Sequence, residues 1–225
     1  MRKLFAFAVV TAMLLSATTA GGTVFLYEDF EGSVAGWTHY ASDLWHIEDY
    51  RSFTGDRSMA YNWGDPWYDY STFPLANYGR AWSPVVDVTG ASAVYMDFAS
   101  WLETENAAGE LEYSFDIAHV EVFDADYNHK FTFTPDINYF AHGQWNYLES
   151  NNFKPTLDMY GLSEFRAAFY FDTVDDMFNL YEGWYVDDVL IHDGEAPPIP
   201  EPSTWLLLST GLIGAVPFVR RKLRR

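Results

Sequence analysis

The segment Phe165-Arg166-Ala167-Ala168-Phe169-Tyr170-Phe171 decides the fold class, because its apolar side chains tend to alternate along the chain. The segment Val94-Tyr95-Met96-Asp97-Phe98-Ala99 shows a similar alternation. Successive side chains of a β-strand point to opposite faces, so each segment presents one face that is more apolar than the other. Both segments are therefore predicted to be strands that cover a core on one side.

Short runs rich in Val, Tyr, Phe and Trp fill most of residues 21–195, with Gly, Pro, Asp and Asn between them. The predicted strands are Val24–Phe30, Trp37–His39, Trp45–Glu48, Ser58–Trp63, Arg80–Val86, Ala93–Trp101, His119–Phe123, Lys130–Thr134, Trp145–Leu148, Glu164–Phe171 and Trp184–Ile191. No long stretch there has a clean 3.6-residue periodicity, and Leu157–Leu162 is at most a helical turn. We therefore predict one all-β domain, an antiparallel β-sandwich or jelly roll.

Residues 1–20 are predicted to be a secretory signal peptide. Arg2 and Lys3 precede an apolar core, and small residues at Thr18 and Ala20 favour cleavage after Ala20. The alternative is an uncleaved N-terminal anchor, which the short apolar run disfavours. The chain is therefore predicted to be exported.

Residues 203–225 are predicted to form a C-terminal transmembrane helix with a basic tail. The run Trp205–Val219 carries no charge, and all but one of the residues in Arg220–Arg225 are Lys or Arg, which stay on the cytoplasmic side of a membrane. Fifteen helical residues span about 22 Å, against a hydrocarbon core of about 30 Å. The segment is thus better suited to a transient membrane anchor, which upstream cleavage releases, than to the alternative of an ordinary permanent single-span anchor.

A proline-rich linker, residues 196–202, precedes this segment and contains Pro200-Glu201-Pro202. Its prolines favour extended backbone that a processing enzyme can reach. The Pro-Glu-Pro triplet, the apolar span and the basic cluster together resemble the PEP-CTERM sorting signal of exopolysaccharide-producing Gram-negative bacteria. The resemblance implies recognition by an exosortase, a membrane-embedded processing enzyme, and release or re-anchoring at the cell envelope, cell surface or extracellular matrix.

The charge of the chain is strongly negative, with 13 basic and 32 acidic residues. Seven basic residues and one acid lie outside residues 21–195, which leaves six basic residues against 31 acids, a net charge of −25. Such a domain repels nucleic acid and anionic membrane surfaces, and it offers carboxylates to hard cations such as Ca²⁺. The alternative is that the charge only maintains solubility. Because the chain has no Cys, burial must stabilise the domain.

A second resemblance rests on a series of short motifs in a fixed order. They are Phe30-Glu31, Trp45-His46-Ile47, Thr54–Tyr61, Trp82–Asp87, Val94–Trp101, Asp116–Val122, Trp145, Phe169–Thr173 and the closing Gly183-Trp184-Tyr185-Val186-Asp187-Asp188-Val189. This order is similar to the MAM-like jelly rolls of choice-of-anchor J proteins and of domains beside immune-inhibitor-A-type metalloproteases. The aromatic insertion after Tyr61 departs from that pattern and leaves the strand pairing there open.

The MAM-like resemblance implies a structural Ca²⁺ where the first and last strands approach each other. Its implied ligands are Glu31 and Asp188, with Asp187 as a further candidate, and the loop at Gly55-Asp56, which adds carbonyl oxygens. Ca²⁺ takes about six to eight oxygen ligands, so two carboxylates, carbonyls and water form a sensible set. The alternative is that these acids are simply solvated at the end of a sheet.

The insertion at residues 62–73, called the aromatic loop below, is a candidate carbohydrate-binding site. Its candidate sugar-contacting residues are Trp63, Trp67, Tyr68 and Tyr70. Flat aromatic faces beside short acids and amides suit sugar rings, which stack through C–H groups and hydrogen-bond through hydroxyls. The alternative is that Trp63, Trp67 and Phe73 cover the end of the core, and the sequence favours this structural role.

Catalysis finds little support in the sequence. It contains no Gly-x-Ser-x-Gly elbow, no His-Glu-x-x-His motif and no phosphate-binding loop, and its six His lack metal-ligand spacing. We predict a non-catalytic surface or matrix component, with extracellular polysaccharide as its candidate ligand and Ca²⁺ as its candidate structural ion. A lectin-like module with a specific glycan ligand is one alternative, and a glycoside hydrolase or lyase that uses paired carboxylates is the other.

Overall fold

The computed structural model describes residues 22–39, 44–72, 75–105, 115–133 and 141–194. The predicted signal peptide, proline-rich linker and C-terminal segment lie outside these residues. The strands in chain order are β1 (Val24–Glu28), β2 (Thr38–His39), β3 (Trp45–Glu48), β4 (Ser58–Tyr61), β5 (Tyr78–Trp82), β6 (Val86–Asp87), β7 (Tyr95–Glu103), β8 (Ile117–Phe123), β9 (His129–Thr132), β10 (Trp145–Glu149), β11 (Glu164–Asp172) and β12 (Gly183–His192). Helix α1 (Lys154–Met159) follows β10. Within the described ranges, no helix has the length and apolar character of a membrane span.

The strands form two sheets. The first has the order β10-β7-β12-β4-β3, and β1 also pairs with β12. The second has the order β2-β5-β11-β8-β9, and β6 also pairs with β11. Every pairing is antiparallel. This arrangement confirms the predicted all-β antiparallel sandwich.

The core lies between the sheets and follows the alternation that predicted the strands. Phe169 and Phe171 of β11 face Trp184 and Val186 of β12 within one fully buried cluster. Each large ring removed from water contributes roughly 2 to 3 kcal/mol. Ala168 points to the opposite side of β11 and belongs to a separate small apolar cluster on the outer face of the second sheet.

Most predicted strands differ from the structure by at most two residues at an end, and two predicted elements differ by more. The strand predicted at Arg80–Val86 is interrupted at Ser83-Pro84, because proline has no N–H to donate to the neighbouring strand. β5 therefore ends before this point, and β6 begins after it. The helical turn predicted at Leu157–Leu162 is helix α1, which begins earlier because Pro155 fits the first turn of a helix.

The two ends of β12 define the two ends of the sandwich. Tyr61, the last residue of β4, pairs with Trp184 near the start of β12, so the aromatic loop leaves the first sheet at that end. The close approach there requires Gly183, because a Cβ at this position would lie 2.2 Å from the carbonyl oxygen of Tyr61. The chain leads from the other end of β12 towards the C-terminal segment.

Candidate functional site

A β-bulge in β12 places two consecutive carboxylates at one point. The register between β12 and β7 shifts between Asp187 and Leu190, and Asp188 has a φ of +47°. At the same point the other neighbour of β12 changes from β4 to β1. Bulges re-aim side chains, and a positive φ is uncommon for a residue other than glycine. Both carboxylates are fully buried as a result.

Asp187 holds the loop between β3 and β4 in place. Its Oδ2 accepts hydrogen bonds from the backbone N–H groups of Phe53 (2.7 Å) and Thr54 (3.2 Å), and its Oδ1 accepts one from Asp188 (2.8 Å). Burial raises the pKa of Asp187 to about 7, and the negative charge of Asp188 adds to this effect. Because both its oxygens already have backbone donors, Asp187 anchors this loop.

Asp188 has one occupied oxygen and one without a partner. Its Oδ1 accepts hydrogen bonds from the hydroxyls of Tyr27 (2.9 Å) and Thr54 (3.0 Å). Its Oδ2 is buried and accepts no hydrogen bond. Burial raises the pKa of this carboxyl, and the charges of Asp29 and Glu31 raise it further. A buried acceptor without a donor is unfavourable, so this oxygen is suited to a cation.

Glu31 contacts the same loop from the other side. Its Oε1 accepts hydrogen bonds from the backbone N–H groups of Asp56 (2.7 Å) and Arg57 (2.6 Å). A Cβ at Gly55, whose φ is +62°, would lie 2.4 Å from the Glu31 carboxyl carbon, so the loop closes on this residue only with glycine. The structure thus brings Glu31 and Asp188 to one loop, to which Asp56 contributes its backbone.

Metal binding by side chains alone has no support in the described part of the chain. There, no group of three or more His, Asp or Glu side chains is arranged to hold a metal ion. Any Ca²⁺ at Glu31 and Asp188 would therefore also need the backbone carbonyls and water that this ion accepts as ligands.

The aromatic loop is held by its own hydrogen bonds. The backbone N–H of Trp63 donates to Asp69 O (2.8 Å), and its indole Nε1 donates to Ser71 O (2.6 Å). The backbone N–H of Trp67 donates to Gly64 O (3.0 Å). Even so, 54% of Trp63 and 74% of Trp67 are exposed. The expectation that these two residues cover the core is therefore wrong, and Phe73 lies outside the described residues.

Tyr68 and Tyr70 have opposite surroundings within the aromatic loop. Tyr68 stacks on the exposed Tyr50, with 4.1 Å between the ring centres. Tyr70 is fully buried, and its hydroxyl donates to Asp116 Oδ2 (2.5 Å). The prediction that Tyr70 contacts sugar is wrong, because its ring packs edge-on against Phe171 in the core. Tyr50 was missed because it follows β3, outside the insertion.

The outer face of the second sheet carries a polar cluster that the sequence motifs did not indicate. Arg80 Nε donates to Glu121 Oε2 (2.5 Å), while His119 and His129 each have Nε2 within 4.0 Å of Glu121 Oε1. Burial alone raises the pKa of Glu121, but hydrogen bonds from His119 and Arg80 and the charge of Arg80 outweigh it and lower this pKa to about 2. One sequence signal marks the cluster, since His119 and Glu121 occupy alternate positions of a strand and therefore share its face.

Comparisons with known proteins identify one motif. Residues 198–225 match the PEP-CTERM protein-sorting motif. This match confirms the predicted sorting segment and implies export, exosortase processing and membrane-anchored sorting to the cell surface. Among curated proteins, none matches this chain.

Among solved structures, the chain is similar to the CBM22-1 xylan-binding domain of Paenibacillus barcinonensis Xyn10C, with 12% identity, a TM-score of 0.46, and coverage of 79% of this chain and 98% of that one. It is similar to the C-terminal family 22 carbohydrate-binding module of Clostridium thermocellum Xyn10B, with 15% identity, a TM-score of 0.47, and coverage of 79% and 99%. It is also similar to the K1 cleaved adhesin domain of Porphyromonas gingivalis Lys-gingipain, with 14% identity, a TM-score of 0.46, and coverage of 78% and 99%.

Proposed function

We propose that the β-sandwich of this exosortase-sorted surface protein binds polysaccharide through the aromatic loop and catalyses no reaction. The observation that carries the proposal is the exposure of Trp67 on a loop fixed by hydrogen bonds. A large exposed ring contributes little to the core, whereas a ring held in place loses little conformational entropy when a sugar stacks on it. Trp63 and the stacked pair Tyr68 and Tyr50 extend the aromatic surface.

Polar groups beside the aromatic loop support the same proposal. A Cβ at Gly64 would lie 2.9 Å from Glu48 Oε2 and 3.1 Å from His46 Nε2, so this part of the loop lies against both side chains. Carboxylate and imidazole groups next to flat rings are suited to sugar hydroxyls. The net charge of −25 for residues 21–195 repels polyanions, so we expect a neutral polysaccharide.

The position of the aromatic loop also suits a surface protein. β12 contains ten residues, which extend about 33 Å. The aromatic loop lies at its first residue, and the chain leaves towards the sorting motif after its last. The aromatic loop and the last described residues of the chain therefore lie at opposite ends of β12.

Trp67→Ala tests the proposal by affinity electrophoresis of the purified full chain in gels containing β-glucan, galactan, mannan or xylan. We expect a loss of affinity of roughly fivefold to 150-fold, since one stacked ring contributes about 1 to 3 kcal/mol to nucleobase binding, a comparable contact. Phe178→Ala is the matched control, because Phe178 is 70% exposed on the loop between β11 and β12. Equal retention of the Trp67→Ala variant and the unsubstituted chain would reject the aromatic loop as the site. A glycan array then distinguishes general binding from a lectin with one specific ligand.

We also propose that Glu31 and Asp188 hold a structural Ca²⁺, with carbonyl oxygens of the loop at Gly55-Asp56 and water. The buried, unpartnered Oδ2 of Asp188 supports this proposal. The like charges of Asp29, Glu31 and Asp188 support it as well, because a divalent cation would offset their repulsion. The ion would fix the bulge of β12 against the loop that follows β3.

Thermal unfolding with and without Ca²⁺ tests this site. A ligand that binds only the folded protein stabilises it by about 2.7 kcal/mol at 100 times its dissociation constant. Glu31→Gln and Asp188→Asn should each remove the Ca²⁺-induced shift in Tm. Asp158→Asn, an exposed acid on α1, should keep it. If both site variants retain the full shift, this assignment is incorrect.

A further inference from the structure

The outer face of the second sheet has a layered arrangement that the proposed function does not use. Trp82, Phe123 and Ala168 form a buried apolar cluster on this side, separate from the main core. Ala168 of β11 lies between Trp82 of β5 and Glu121 of β8, its two cross-strand neighbours, and all three are buried. Arg80 lies over the Phe123 ring of this cluster, and Tyr127 packs edge-on against its Trp82.

Planar polar groups lie in a row across the three strands. Tyr170 of β11 pairs in register with Arg80 of β5 and His119 of β8. The Arg80 guanidinium carbon lies 4.0 Å from the centre of the Tyr170 ring, and the His119 ring lies 4.9 Å from it on the other side. Arg80 also donates to both oxygens of Glu121, at 2.5 and 3.3 Å. Arg80 is therefore held both by Glu121 and by the Tyr170 ring.

This arrangement is a poor means of stabilising a fold. Glu121 is only 6% exposed, so its charge has been removed from water, and an ion pair of this kind is often no more stable than apolar residues of similar size. The side chains of Arg80 and His119 stay partly exposed, and planar polar groups beside aromatic rings are typical of sites that bind hydroxyl groups. The rings of Tyr78 and Tyr127 remain exposed on the same side of the sheet, Tyr78 by 62%.

The charge of this face differs from the charge of the whole domain. Three of the six basic residues in 21–195 lie here, namely Arg80, Lys130 and Arg166. Arg80 pairs with Glu121, and Lys130 pairs with Asp124 at 2.8 Å. A charge-balanced patch on a strongly acidic domain suits a neutral ligand better than a polyanion or a polycation.

We propose that this face is a second saccharide-binding site, which takes a neutral pyranose chain across β5, β11 and β8. Arg80 and His119, which lie against Glu121, hydrogen-bond the sugar hydroxyls, and Tyr78 and Tyr127 contact the sugar rings. The inference rests on the proposed function, because it assigns the same ligand class to a different surface.

The two sites lie on opposite sides of the sandwich. Asn62, at the start of the aromatic loop, donates to the hydroxyl of Tyr185, a residue of β12 that lies outside the core cluster. The start of the aromatic loop therefore lies on the outer side of the first sheet, while its Tyr70 enters the core. The Arg80–Glu121 pair lies on the outer side of the second sheet. One molecule would thus bridge two polysaccharide chains, as a cross-linking component of an extracellular matrix does.

Bead clustering tests the second site. The full chain, confirmed to be monomeric in detergent, is mixed with beads coated with β-glucan, galactan, mannan or xylan, and both bound protein and bead clusters are measured. The variant Arg80→Met with Glu121→Met replaces both charges with apolar groups of similar length, which limits its effect on folding. Tyr78→Ala tests the same face without changing the ion pair. Lys154→Met with Asp158→Met is the matched control on α1.

We expect the unsubstituted chain and the α1 control to cluster beads. The Arg80 and Glu121 variant, Tyr78→Ala and Trp67→Ala should each bind beads but lose at least tenfold in clustering, and combining Trp67→Ala with the Arg80 and Glu121 changes should abolish binding.

Undiminished clustering by the folded Arg80 and Glu121 variant and by Tyr78→Ala would overturn the second site while leaving the aromatic loop intact. Loss of all binding in Trp67→Ala alone would overturn it too, because one site would then account for the affinity. Undiminished clustering by Trp67→Ala alone would count against the aromatic loop and leave the second site standing.

Discussion

The two sheets of this sandwich each bury carboxylates, and they do so with opposite consequences. Asp187 of the first sheet is paired with backbone N–H groups and lies beside Asp188, and burial raises its pKa to about 7. Glu121 of the second sheet lies against Arg80 and His119, which lower its pKa to about 2 despite its burial. Burial alone raises the pKa of any carboxyl, so the charge of the nearest partner determines the direction of the net shift.

The two groups of buried carboxylates therefore differ in charge balance, since Glu121 has a cationic partner and the Asp187 and Asp188 pair has none among the contacts described above. The charge of Glu121 is balanced by another side chain of the same sheet. The charges of Asp187 and Asp188 repel each other, and Asp188 Oδ2 accepts no hydrogen bond. The first arrangement is stable as a charged pair, whereas the second is stabilised either by protonation or by a cation.

The largest expected effect is the pH dependence of unfolding in the presence of a chelator. Since the folded pKa of Asp187 is raised from 3.8 to about 7, the folded state holds a proton that the unfolded state releases, and stability falls as pH rises from 4 to 7. The contribution is on the order of 4 kcal/mol. Asp116, whose pKa burial raises to about 7, adds a contribution of the same sign.

Asp187→Asn should therefore reduce the slope of unfolding free energy against pH by about half between pH 4 and 7. The measurement is urea denaturation at several pH values with chelator present. Asp158→Asn, an exposed acid, serves as the control and should leave the slope unchanged. An unaltered slope in the Asp187→Asn variant would show that this carboxyl is ionised throughout the range.

Removing the partner of Glu121 is expected to have the next largest effect. Arg80→Ala leaves a buried carboxylate without its cation, which should lower the free energy of unfolding by about 3 kcal/mol at pH 7. Arg80→Met combined with Glu121→Met removes both charges and should lie within about 1 kcal/mol of the unsubstituted chain. Equal destabilisation by the single and the double change would mean that lost packing, and not the unpaired charge, causes the effect.

The carboxylate of the second sheet should have the opposite effect on the pH dependence of stability. It stabilises the fold at neutral pH, and this stabilisation is lost in acid. The folded pKa of Glu121 lies below its unfolded value of 4.5, so its contribution is present above pH 4.5 and is lost as pH falls towards 2. We expect this loss to be on the order of 2 kcal/mol. Glu121→Gln should reduce the fall in Tm between pH 4.5 and 2.5, as measured by thermal unfolding. An equally steep fall in this variant would contradict the lowered pKa of Glu121.

The smallest expected effect concerns the imidazole beside Glu121. His119→Gln should lower the free energy of unfolding at pH 7 by only about 0.5 kcal/mol, because its Nε2 lies 3.4 Å from Glu121 and Arg80 supplies the shorter contact. Chemical denaturation measures this change. A loss as large as that of Arg80→Ala would give the imidazole an equal part in balancing Glu121.

The fold was predictable because strand patterns are local. The alternation at Phe165–Phe171 and the short runs bounded by Gly, Pro, Asp and Asn correctly indicated two antiparallel layers. The PEP-CTERM sorting motif was readable for the same reason, since its triplet, apolar span and basic tail are continuous in the chain. The MAM-like resemblance and the Ca²⁺ that it implies stay predictions.

The site residues were predictable only in part, because exposure depends on distant neighbours. Trp67 and Tyr70 lie in one insertion of similar composition, yet one is exposed and the other is buried against Phe171. The pairing of Glu121 with Arg80 was not recognisable, since Arg80 is on another strand and reaches Glu121 across β11.

The sequence by itself determined that this chain forms an export-directed β domain with a sorting segment, because periodicity and contiguous motifs need no folded neighbour. Only the tertiary structure decided which aromatic rings face solvent, which carboxylate lacks a partner and which one has a guanidinium. These properties depend on strand order and on the bulge of β12, which bring together side chains far apart in the chain.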